Sequence, residues 1–164
     1  MKFMDVFLSI GTNIGDLNNN IRFAKDKIEK KIGKIVKQSA VYETSPWGFE
    51  SKNNFYNQVI KISTFLNPYI LLGEIKDVER EMGRKTEKND GVYLSRIIDI
   101  DILFYGDQLI SSGDLIIPHK FLQDRLFVLV PLNEIAPDFV HPLLNKRITT
   151  LLKQCTDKSE IKIS

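Results

Sequence analysis

Cysteine is almost missing from this chain. The single Cys155 cannot close an internal disulfide, so the sequence implies no oxidising compartment. With no Cys or His cluster beside it, Cys155 reads as inert. Long apolar runs are missing too, and nothing approaches the ~20 residues of a membrane-spanning helix. The opening "MKFMDVFLSIGTN" has only a short apolar run, broken by Asp5, unlike a secretory signal. Excess charge of one sign is also lacking. The 23 Lys and Arg against 21 Asp and Glu provide no global field to draw nucleic acid or a membrane, so an anion site must be local. There is no internal repeat, no low-complexity tract and no Pro/Gly/Ser linker. The expectation is therefore one domain over residues 1–164, cytoplasmic and monomeric, with no nucleic-acid or membrane partner.

What is present is ordered punctuation between apolar patterns. "DVFLSIG" alternates and predicts a strand ending at Gly11. Asp16 then caps a helix with Leu17, Ile21, Ala24, Ile28 and Ile32 on one face, and Gly33 supplies the stop. Residues 34–44 predict a strand, "SPWGFESKNN" a loop holding the one tryptophan, Trp47, and "FYNQVIKISTF" another strand. Asn67 and Pro68 open a second helix, with Leu71, Ile75, Val78 and Met82 on one face, closing at Gly83. Residues 84–95 read as a long mobile polar loop. "SRIIDIDILFYG" follows as a strand deep in a sheet, with Gly106-Asp107 as a hairpin turn. "LIIPH" ends a short strand, "KFLQDRLFVLVPL" is a helix stopped near Pro131, and a short helix lies near Ile148 to Leu152. The order β-α-β-β-α-β predicts an α+β, ferredoxin-like fold: an antiparallel sheet flanked by helices, with a C-terminal extension.

Asp99 and Asp101 interrupt the most apolar strand. Alternation places both on one face, with Ile98, Ile100 and Ile102 on the other. Two like charges about 7 Å apart repel and resist burial. An edge strand with a wet face would tolerate them, and so would a Mg²⁺ platform, which needs few protein oxygens beside water and phosphate. Arg84, Lys85, Lys88 and Arg96 precede the pair, and Lys120 and Arg125 follow it, the cations a polyphosphate requires. His119, after an apolar strand, is a candidate donor to phosphate that could also balance charge near neutral pH, whereas His141 reads as structural. Trp47, Phe55 and Phe127 could stack on a flat heteroaromatic ring whose edge Asn57 reads, although core packing explains both Phe residues equally well.

Together "LSIGTNIGD", "YETSPWG", "FYNQV", "EREMGR", "RIIDIDILFYG" and "IPHKFLQDRLFVLVPLNEIAPD" resemble the 6-hydroxymethyl-7,8-dihydropterin pyrophosphokinases of folate biosynthesis, in that family's order over nearly the whole chain. The resemblance implies transfer of the ATP diphosphate to the pterin hydroxymethyl group, releasing AMP. It implies two Mg²⁺ ions on Asp99 and Asp101, with Arg84 and Arg96 joining them as catalytic residues. It implies a pterin pocket of Asn13, Thr44, Ser45, Trp47, Phe55, Asn57 and Phe127, with the Gly11 loop beside it. ATP would meet Glu79, Arg84, Arg96, Ile102, His119 and Arg125. The chain departs from the family where Thr86 stands for a second loop Arg and Tyr93 for a loop Trp. No dedicated general base is visible: a metal-lowered hydroxyl pKa and proton acceptance by Asp99 both stand open. Another Mg²⁺-dependent nucleotidyl or phosphoryl transferase would explain Asp-x-Asp but not the aromatic and amide set. An RNA-recognition module shares the element order, yet would place stacking aromatics where this chain has an acidic strand face.

Overall fold

A computed structural model of the chain describes residues 2–45, 54–83 and 97–164. Trp47, Arg84, Lys85, Thr86, Lys88, Tyr93, Arg96 and the loop expected over 84–95 lie outside the described residues.

The first strand, β1 (Met4–Thr12), leads into α1 (Leu17–Lys31). Asp16 caps that helix by accepting the Asn19 N–H at 3.2 Å, and Ile21, Ala24 and Ile28 are buried. Gly33 is needed for a reason other than a left-handed stop. A Cβ there would lie 2.3 Å from the Ser63 carbonyl oxygen, so only glycine admits the close approach of the next strands. The expected strand over 34–44 is two, β2 (Lys34–Gln38) and β3 (Tyr42–Thr44), both paired with β4 (Phe55–Thr64). Their break is held from far along the chain: the Glu134 carboxylate accepts the Ala40 N–H at 3.0 Å and the Tyr42 hydroxyl at 2.6 Å. α2 (Pro68–Glu81) is capped by Asn67, which accepts the Tyr69 and Ile70 N–H groups, and buries Leu71, Ile75 and Val78. It closes at Gly83, whose φ of +91° is left-handed.

β5 (Asp99–Tyr105) pairs with β1, and the main sheet runs β5-β1-β4-β3 and then β8 (Ile161–Ile163), with β2 also on β4. Counting β2 and β3 as one interrupted strand, the order is fourth, first, third, second. This is the antiparallel ferredoxin-like arrangement that the element order predicts. Among the described strands β5 is thus at the edge and not in the interior. Its apolar run reflects two covered faces. Ile98, Ile100 and Ile102 pack with α1 and α2, whereas Leu103 and Phe104 join a second core on the other face. A bulge at Leu103 sets both of these residues on that second face.

The expected hairpin turn is displaced. Gly106-Asp107 turns the chain, but β6 (Ile110–Ser112) and β7 (Leu115–Ile117) pair only with each other, across the second Gly-Asp, at 113–114. After a 3-10 turn at Leu122–Asp124, α3 (Leu126–Ile135) runs through Pro131 instead of stopping there. Val128, Leu129 and Leu132 are buried in the second core, and that burial offsets the hydrogen bond Pro131 cannot make. α4 (Ile148–Gln154) packs beside α3, and β8 (Ile161–Ile163), which the sequence pattern does not announce, pairs with β3. No helix among the described residues is long and apolar enough to cross a membrane.

Candidate functional site

Alternation back from Leu103 puts Asp101 and Asp99 on the second face of the sheet, as their spacing predicts. The register then lines up a row across four strands: Asp99 opposite Gly11, Gly11 opposite Asn57, and Asn57 opposite Tyr42. Asp101 stands opposite Ser9 in the adjoining row. The carboxylate pair and the amide are therefore separated only by the β1 backbone, and at the crossing point β1 carries no side chain. A Cβ on Gly11 would sit 3.0 Å from Asn57 Oδ1 and 3.9 Å from the Phe55 ring, so glycine is what lets the amide and the ring close on the β1 backbone, which forms a floor without a side chain of its own.

On the amide side Asn57 and Thr44 are buried, and Asn57 Nδ2 donates to Thr44 Oγ1 at 2.8 Å. This bond orients the amide and turns Oδ1, the acceptor, toward the Gly11 floor. Asn13 is buried just beyond β1, and Phe55 and Ser45 are half-buried.

On the carboxylate side, His119 Nε2 lies 3.8 Å from Asp101 Oδ2. Burial, and then the neighbouring Arg125, push the His119 pKa down to about 4, against the opposing pull of Asp99. The ring is neutral at pH 7, so this contact is not an ion pair. Nδ1 accepts the Phe121 N–H at 3.2 Å, which leaves the proton on Nε2, facing Asp101. His119 is thus a neutral donor, not a charge balancer.

Arg125 is buried with its guanidinium carbon 5.0 Å from the Phe121 ring and 5.5 Å from the Phe127 ring. Two aromatic faces hold a planar cation beside His119. Phe121 was not singled out by the sequence pattern; its i, i+4 spacing to Arg125 is the one signal that points to it.

Two further residues stand apart from this face. Ile102 is buried on the opposite side among α1 and α2, so only its backbone is available to a ligand. Glu79 is buried on α2, where its carboxylate accepts the Ile100 N–H at 2.9 Å. Among the described residues no group of three or more His, Cys, Asp or Glu side chains could enclose a metal. Two same-face carboxylates suit a cation that keeps water and substrate oxygens, as Mg²⁺ does, and not a closed structural zinc site.

The family model described as 7,8-dihydro-6-hydroxymethylpterin-pyrophosphokinase matches residues 7–137, which span every described site residue. The chain belongs to this family. The 2-amino-4-hydroxy-6-hydroxymethyldihydropteridine pyrophosphokinase of Aquifex aeolicus is 45% identical over 141 residues, covering 86% of each chain. That of Porphyromonas gingivalis is 39% identical over 138 residues, 84% of this chain and 93% of the relative. The folic acid synthesis protein FOL1 of Dictyostelium discoideum is 43% identical over 145 residues; the match takes in 88% of this chain but 21% of the longer protein. Among solved structures, Plasmodium falciparum HPPK-DHPS with pterin and p-hydroxybenzoate superposes with a TM-score of 0.75 over 94% of this chain and 42% of that one. At 22% identity this last likeness speaks to the fold alone. The family read from the sequence motifs is the one the comparisons return.

Proposed function

We propose that this chain transfers the β,γ-diphosphate of ATP to the hydroxymethyl oxygen of 6-hydroxymethyl-7,8-dihydropterin, giving AMP and the pterin diphosphate, with two Mg²⁺ ions as cofactors. Family membership supports the reaction. The observation that carries the site assignment is the Asp99–Gly11–Asn57 row, in which a carboxylate and a pterin-reading amide flank a bare backbone floor.

In this reading the pterin lies over Gly11, stacked by Phe55, Phe127 and Trp47. Asn57 Oδ1 accepts from the ring's donor edge, while Thr44, Ser45 and Asn13 complete the pocket. Asp99 and Asp101 would hold the two Mg²⁺ ions. When bound, Mg²⁺ supplies charge neutralisation to the triphosphate and acidity to an oxygen it contacts. His119 donates its Nε2 proton to a phosphate oxygen, and Arg125, kept flat by its two rings, adds a fixed cation beside it. Arg84, Arg96 and Glu79 belong to the ATP side, where Ile102 contributes through its backbone. The hydroxymethyl oxygen attacks the β-phosphorus, the bond to the α-bridging oxygen breaks, and AMP leaves. Asp99, level with the floor, is the chain's own group for taking the hydroxyl proton. Most of the acceleration then comes from holding two substrates in line. ATP and the pterin are the only partners this chemistry asks for, consistent with a cytoplasmic monomer.

Incubation with ATP, Mg²⁺ and the pterin, with products separated by chromatography, tests the proposal. AMP and pterin diphosphate in equal amounts are expected. Folded protein that forms neither would overturn it, and activity undiminished by a chelator would remove the metal.

A further inference from the structure

Among the described residues β5 is the outermost strand on its side of the sheet, and one row of its backbone groups faces no described strand. Two backbone points flank Asp99, one on the outer edge and one on the β1 side, and both are held by side chains from other elements. Ile100 N–H, which lies between the two aspartates, donates to Glu79 Oε2 of α2 at 2.9 Å. At the strand's start, the Ile97 carbonyl accepts the Thr12 hydroxyl and, at 3.3 Å, the Asn20 side-chain amide of α1. The same amide reaches Thr12 Oγ1 at 3.0 Å and the Ile14 carbonyl at 2.8 Å, knotting the end of β1, the start of α1 and the start of β5.

We infer that Thr12, Asn20 and Glu79 are positioning residues that hold the Asp99–Asp101 segment at its working distance from the Gly11 floor before a ligand arrives. The inference rests on the reading of Asp99 and Asp101 as the pair that meets metal and triphosphate. Thr12 is fully buried and, by alternation, on the face of β1 opposite Gly11, so it has no route to a substrate. Asn20 leaves from a helix that packs on the far face. Their one shared target is the backbone that carries the carboxylates. Glu79 takes up an outward N–H of β5, while Thr12 and Asn20 fasten the carbonyl just before it. Losing one frees the segment to pivot, and reactions that depend on in-line geometry respond steeply to such shifts. Outer groups that orient metal ligands typically change metal affinity by about 10–100-fold when removed.

Thr12→Val keeps the shape and removes the donor; Thr12→Ser keeps the donor. Mn²⁺ titration with a non-hydrolysable ATP analogue, read by electron paramagnetic resonance, should show affinity lowered about tenfold or more in Thr12→Val and restored in Thr12→Ser. Hydrogen exchange at the Ile100 amide, read by NMR without metal or nucleotide, should quicken in Thr12→Val and in Glu79→Ala. It should be retained in Glu79→Gln, which still offers an acceptor. In turnover, kcat should fall while KM for the pterin holds. Asn20→Ala, on a half-buried helix position, gives the same comparison should Thr12→Val not fold. Wild-type Mn²⁺ affinity and Ile100 exchange in both Thr12→Val and Asn20→Ala would overturn the inference, as would equal losses in Thr12→Ser and Thr12→Val. Wild-type protein that forms no pterin diphosphate would overturn the proposed reaction instead, while the exchange measurement still decides the clamp.

Discussion

Gly11→Ala adds one methyl group at the point where the carboxylate and amide sides of the site meet, and the fold and the ligand should respond to it differently. Gly11 is not in the left-handed region, so alanine can take its backbone conformation. At such a position the loss of glycine's freedom in the unfolded chain stabilises by about 0.4–1 kcal/mol. Against this, the new Cβ would lie 3.0 Å from Asn57 Oδ1, and Asn57 must give by a few tenths of an ångström. Its 2.8 Å bond to Thr44 is strained by that movement, at a cost of ~1 kcal/mol if the bond is lost. The two effects nearly cancel, and the melting temperature should move by no more than about 4 °C. The ligand has no such compensation. A methyl on the floor lifts a flat ring from its contacts and turns the Asn57 acceptor away. Displacement of about 1 Å in a positioned reactant can cost on the order of 10²-fold in rate. Calorimetric titration with a pterin analogue and initial rates should thus show affinity and kcat/KM reduced by about 10–100-fold in a normally folded protein. Wild-type pterin affinity in Gly11→Ala would refute the placement of the ring over this floor.

Gly33→Ala should do the opposite, costing stability of about 2–4 kcal/mol, because its Cβ would stand 2.3 Å from the Ser63 backbone oxygen and strands β2 and β4 must part. Urea unfolding checks this, and a loss under about 1 kcal/mol would contradict the close approach. Asp99→Asn and Asp101→Asn should each lower kcat by about 10²-fold or more with circular dichroism unchanged; near-normal turnover in either would remove that residue from the site. Burial lowers the pKa of His141, whose Nδ1 accepts the Leu143 and Leu144 N–H groups, so the folded ring resists the proton that the unfolded chain binds near pH 6.5. The stability it supports is complete above that pH and lost as the pH falls toward the depressed folded value. Urea midpoints at pH 5 and pH 7.5 should differ less in His141→Gln than in wild type; an unchanged difference would show that His141 is not part of the slope.

Several elements were legible because their cause is local. Asp16 and Asn67 accept the backbone N–H groups that helix starts leave over, and the apolar stripes behind them repeat at helical period. Asp99 and Asp101 share a face because strand geometry alternates, whatever the strand packs against. Where the cause was distant, the pattern misled. The break between β2 and β3 depends on Glu134, some ninety residues further on. Two Gly-Asp pairs, at 106–107 and 113–114, are equivalent as turn signals, and only strand pairing decides which one closes a hairpin. Pro131 is a local stop signal overridden by burial on both sides of it. β8 is three residues long and exists because β3 offers it an edge.

The candidate site divides in the same way. Residue chemistry and motif order alone identified the family and named the two carboxylates, the aromatic and amide set, His119 and Arg125, because donors, acceptors and charges belong to side chains and not to their surroundings. Tertiary structure decided what those groups can do. Burial beside Arg125 makes His119 neutral, and alternation against the helices turns Ile102 away from the floor. Pairing of β1 with both β4 and β5 brings Asp99 and Asn57 to either side of a bare glycine. Thr12, Asn20 and Glu79 meet the backbone on either side of Asp99. Each of these depends on which distant segments the sheet brings together, and contacts of that range leave no period in the sequence.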